Sequence, residues 1–82
     1  HGYYVNRGGT SFSSLITPEE IAASGFDYLA LGHVHVFSEI EHGNTLAAYP
    51  GSPNLAHGSH EKTAAHIVLD PATGVLLNRL IL

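Results

Sequence analysis

The chain has no cysteine, no methionine and no tryptophan, and only three of its 82 residues are lysine or arginine. Without cysteine there are no disulfides and no thiolate metal sites. Any bound metal has to be held by His, Asp, Glu or Asn, and the core has no covalent staple. The same absence mildly favours a reducing compartment, so a cytoplasmic location is expected. The three fixed cations, Arg7, Lys62 and Arg79, are scattered along the chain, and the formal net charge is -4. Such a chain offers no basic patch that grips a nucleic acid backbone by charge alone. No apolar run is long enough to span a bilayer, and the first residues lack the charged-then-apolar pattern of a leader, so no membrane partner is expected. Eighty-two residues make one small domain, near the size at which burial barely balances chain entropy.

Histidine, in contrast, is abundant, with seven residues. Two of them close the stretch Tyr28-Leu29-Ala30-Leu31-Gly32-His33-Val34-His35. Four residues with apolar bodies run into a glycine and then two imidazoles one residue apart, which predicts a buried strand ending abruptly at a site. Open sheets carry their chemistry beyond the carboxyl ends of strands, and neutral imidazole is the commonest protein ligand of transition metals. Gly32 removes the Cβ where the chain is expected to turn. The pattern also suits two solvent-facing polar side chains with no ligand, because alternate residues of a strand share a face whatever they do there.

Around this stretch the chain reads as a mixed α/β (α+β) domain. His1 to Val5 resembles the exit of a strand whose body lies upstream. Asn6 to Ser14, rich in glycine and hydroxyl residues, predicts a loop in which Arg7 is the fixed cation nearest the proposed site and a candidate substrate contact. Thr17-Pro18-Glu19-Glu20 is a helix start with a capping box, Ile21 to Ala23 continue it, and Gly25 ends it. After His35, residues 37–42 and Thr45 to Tyr49 form a hairpin across Gly43-Asn44. Pro50-Gly51-Ser52-Pro53 then breaks the strand. A polar loop from Asn54 to Lys62 carries His57 and His60. Ala64 to Asp70 and Val75 to Leu82 pair across the turn Pro71 to Gly74. His42 and His66 read as structural or solvent-facing. The chain opens at His1 instead of methionine and stays apolar to Leu82, from which we expect a segment of a larger protein.

The strand Asp27 to Leu31, the Gly-His-Val-His that follows, the hairpin, and Tyr49-Pro50-Gly51-Ser52-Pro53 together resemble the carboxyl-terminal part of the calcineurin-like metallophosphoesterases. Among these the resemblance is strongest to the SbcD-type bacterial DNA repair exonucleases, and it extends from His1 to about Leu69. It implies the second half of a two-sheet β-sandwich with a flanking helix, the strand that leads to His33 and His35 at the centre, and largely antiparallel strands in its latter part. Residues 1–82 would then be one segment of a single domain whose first half is elsewhere. It also implies that His1 and His33 hold one divalent ion and His35 its neighbour, about 3.5 to 4 Å away as in two-metal hydrolytic sites. The metals expected are two manganese ions, with iron, zinc or nickel as alternatives. The family's D-x-H, G-D-x-x-D and G-N-H-[DE] segments are absent from the 82 residues. Those segments supply the bridging carboxylate and the histidine thought to assist the leaving group, so no catalytic residue is assigned here and the chain alone is expected to be inactive. Ser52, Asn54 and His57 are candidate phosphate contacts beside Arg7, and His60 shares the loop of His57.

The implied function is phosphodiester hydrolysis, with DNA as substrate and an SMC-like ATPase as a partner subunit. Small-molecule phosphodiesters are the alternative substrate. Two readings from other classes stay open: a non-catalytic module holding one zinc or nickel ion through His1, His33 and His35, and a β-rich structural domain with no ligand.

Overall fold

The structure, a computed structural model, describes residues 1–5, 14–54 and 61–82. Its elements in chain order are β1 (Tyr3–Tyr4), β2 (Leu15–Ile16), α1 (Pro18–Ala23), β3 (Tyr28–Ala30), β4 (Phe37–His42), β5 (Thr45–Pro50), β6 (Thr63–Asp70) and β7 (Gly74–Ile81). The fold is mixed α/β, dominated by strands, with one short helix. The pairs β4–β5 and β6–β7 are antiparallel, whereas β1–β2 and β3–β5 are parallel.

Local chemistry sets the helix and both hairpins. Thr17 accepts from the Glu20 N–H at 3.2 Å, and the Glu20 carboxylate accepts in return from the Thr17 N–H at 3.0 Å, completing the capping box. The helix ends after six residues at Ser24, and Gly25 follows with φ of 74°. The first hairpin turns over Gly43 and Asn44, with His42 opposite Thr45. The second pairs Asp70 with Gly74, and the Asp70 carboxylate accepts from the Ala72 N–H at 2.7 Å. That bond is the local side-chain closure that makes aspartate a turn residue.

One expectation is corrected. Strand β3, which leads into His33 and His35 and was expected at the centre, lies at the edge of the three-stranded sheet, whose order is β3-β5-β4, and β5 takes the centre. The burial follows: Thr45, Ala47, Ala48 and Tyr49 of β5 are buried, while Tyr28 and Leu29 are half-buried and Ala30 is exposed. The adjacent small residues Ala47 and Ala48, one on each face, let β5 accept a parallel neighbour on one side, an antiparallel one on the other and α1 across one face. The core consists of Ile21, Leu31, Ala47 and Tyr49, with Tyr4, Ile16, Leu29, Val34 and Ile40 packed against it. The β2 strand had no counterpart in the sequence reading, because two residues are too few to show a period.

The β6–β7 hairpin joins the rest through Thr63, which is buried. Its hydroxyl donates to the Pro50 carbonyl at 2.8 Å and its N–H to the Ser52 carbonyl at 2.9 Å. Beyond Thr63 the hairpin leaves Val68, Leu69, Leu76, Leu80 and Ile81 exposed, far more apolar surface than a solvated two-stranded ribbon usually carries.

Candidate metal centre

His1 reaches the site through the backbone of Gly2. The Gly2 N–H donates to the Gly32 carbonyl at 3.1 Å, which fixes the start of the chain against the segment leaving β3. Gly2 is buried, and a Cβ there would lie 2.8 Å from the Ser14 carbonyl oxygen and 3.0 Å from the Ile16 side chain, so only glycine lets β1 settle this close to β2. The Tyr49 hydroxyl completes the hold. It accepts from the Tyr4 N–H at 2.7 Å and donates to the Gly2 carbonyl at 2.8 Å. Burial pushes the Tyr49 phenol above its ordinary value, the bond from Tyr4 opposes that rise, and the nearby Tyr3 adds to it.

These contacts place His1 beside His33. Their ring centroids are 5.0 Å apart and the rings meet edge to face at 70°. Both side chains are exposed. The sharp turn falls on His33 itself, which has φ of 115°. Gly32 does not have to be glycine for space, since a Cβ there would meet only His1 Nδ1 at 3.8 Å. A branched-at-Cγ residue at such a φ is strained by about 1 to 3 kcal/mol, a cost that structures keep mostly at working sites.

The structure therefore brings two of the three expected imidazole ligands together. His35 is two residues further on and exposed. Among the described residues, no three side chains of His, Cys, Asp or Glu are grouped so as to hold a metal ion. Imidazole nitrogens are suitable donors to a transition metal, but two of them alone do not complete a metal centre.

Of the other candidates, Ser52 and Asn54 have a local role. Ser52 accepts from the Asn54 N–H at 3.1 Å, so the two form a small turn that accounts for both residue types. Arg7 and His57, with His60, lie outside the described residues. His42 has a structural partner: its Nε2 is 2.6 Å from the Tyr4 hydroxyl, and the two rings stack at 5.8 Å. Sequence reasoning missed Tyr49 as the residue that positions His1. The only available signal was a tyrosine inside an otherwise small-residue strand, where a phenol usually needs a hydrogen-bond partner. No protein-family model, curated protein or solved structure matches the chain.

Proposed function

We propose that the chain is the histidine-bearing segment of a dinuclear-metal phosphodiesterase, acting on DNA in the manner of the SbcD-type exonucleases. The observation that carries this reading is the juxtaposition of His1 and His33, residues distant in sequence, at the carboxyl end of a parallel strand. The strain at His33 supports it, because an imidazole held at an unfavourable φ needs a reason to be there. The exposed apolar surface of β6–β7 also supports it, as such a surface suits a hairpin covered by the second sheet of a sandwich.

In this reading His1 and His33 hold one ion and His35 its neighbour, and carboxylates from outside the 82 residues complete the pair. The ions, when bound, lower the pKa of a water and neutralise charge on the phosphoryl oxygens. The chain's own contribution is positional. Tyr49 and Gly2 fix where the His1 ring starts, and the backbone at His33 aims the second ring toward the first.

The test is manganese-dependent hydrolysis of bis(p-nitrophenyl) phosphate and of single-stranded DNA by the intact protein, with the metal content measured alongside. Two manganese ions per chain and a loss of about 100-fold or more in His33→Ala are expected, since removing a residue that merely orients a metal ligand already costs about 10- to 100-fold. A protein that binds no manganese and cleaves neither substrate overturns the proposal. Two imidazoles close together, with no group of three His, Cys, Asp or Glu side chains among the described residues, favour one second reading, a single zinc or nickel ion without catalysis. One ion held only by histidines, with no hydrolysis, would be its signature.

A further inference from the structure

Tyr3 follows His1 and Gly2 directly, and its place in the site differs from that of Tyr4. Successive side chains of a strand take opposite faces. Tyr4 turns to His42, to which it is hydrogen-bonded and against which it stacks. The Tyr3 ring lies 6.2 Å from the His33 ring, at an interplanar angle of 75°, so it flanks the imidazole pair. It remains 44% exposed although the backbone on either side of it is tied down by Tyr49 and by the ladder to β2. A rigidly mounted, partly exposed aromatic ring beside an imidazole pair is suited to stacking.

Charge decides what it would stack on. Within these 82 residues, a net charge of -4 and three fixed cations supply few of the phosphate contacts on which most nucleic acid affinity rests. Arg79 is moreover engaged with Glu61 at 3.3 Å and lies over the Phe37 ring. Base stacking on an aromatic face needs no cation, and every nucleobase offers a π surface.

Resting on the phosphodiesterase reading above, the geometry points to Tyr3 as a specificity-determining residue. Its exposed ring stacks on the nucleobase next to the phosphodiester held at His1 and His33, so that nucleotide diesters are selected over simple alkyl diesters. Affinity won this way depends on the base and only weakly on salt.

The experiment uses the intact protein freed of metal with chelator, and compares by fluorescence anisotropy a short oligothymidylate with the same strand made abasic. The wild type should bind the base-bearing strand about ten-fold more tightly, as expected for one stacked base. That preference should persist as salt is raised. Tyr3→Ala should abolish it, while Tyr3→Phe and Tyr3→Trp keep it, which separates loss of the ring from loss of the fold. Equal binding of both strands by the wild type, or a preference that survives in Tyr3→Ala, overturns the inference. Manganese-dependent hydrolysis of bis(p-nitrophenyl) phosphate by the wild type reports independently on the underlying reading. Hydrolysis without base preference removes the role of Tyr3 alone, whereas base preference without hydrolysis supports stacking at Tyr3 and removes the phosphodiesterase.

Discussion

The hydroxyl of Tyr49 donates to the carbonyl of Gly2 at 2.8 Å, joining residues 47 positions apart, and through that bond the centre of the main sheet holds the histidine at the start of the chain. Tyr49 is 2% exposed, so the bond is made where water cannot replace it.

Replacing Tyr49 with phenylalanine keeps the ring and removes the hydroxyl. The Tyr4 N–H and the Gly2 carbonyl then lose their partner, and a loss of about 1 to 3 kcal/mol is expected. Urea denaturation measures it. The nuclear Overhauser contact between the His1 and His33 rings should weaken in the same variant, and a variant of unchanged stability with that contact intact would show the hold to be dispensable.

The same residue sets an alkaline limit. Burial raises the Tyr49 phenol above its ordinary value of 10.0, and Tyr28 is raised by burial too. The unfolded chain therefore loses these protons at a lower pH than the folded one. Their contribution to stability is complete below about pH 10, the unfolded tyrosine value, and declines as the pH rises through the higher folded values. Melting temperatures recorded from pH 8 upward should fall beyond pH 10, and less steeply in Tyr49→Phe.

Gly51 has φ of 79°, and a Cβ there would overlap the Thr63 hydroxyl and lie 3.2 Å from the Phe37 nitrogen. Gly51→Ala should cost about 2 kcal/mol or more, combining left-handed backbone strain with a displaced Thr63. Adding Thr63→Ala relieves the overlap but not the backbone, and it also removes the bond to Pro50. The double variant should therefore stay well below wild type in chemical denaturation.

At His33 the two simplest replacements should part company. Both remove the imidazole, but only glycine accepts φ of 115° without strain. His33→Gly is expected to be more stable than His33→Ala by about 1 kcal/mol, and equal melting temperatures would argue that the backbone there relaxes freely.

Certain parts of this protein were legible because their chemistry is contained within a few residues. Thr17 and Glu20 cap one another, Gly43 and Asn44 close a hairpin, and Asp70 closes the next. The pairing of β6 with β7 needed only two apolar runs and a turn between them. The choice of His1 and His33 as partners was suggested by resemblance, and their approach to 5.0 Å is a tertiary fact. The apolar run of β3 was less informative, since the same residues suit the middle of a sheet or its edge.

By itself, then, the sequence determined the elements whose hydrogen bonds close locally, together with the absence of thiolate chemistry and of a basic surface. Only the tertiary structure decided that β5 lies at the centre, that Tyr49 reaches the backbone of β1, and that the strain of the turn falls on His33 instead of Gly32. The physical reason is that these features depend on which distant groups compete successfully for the same buried hydrogen bonds and the same core volume. No window of neighbouring residues carries that information.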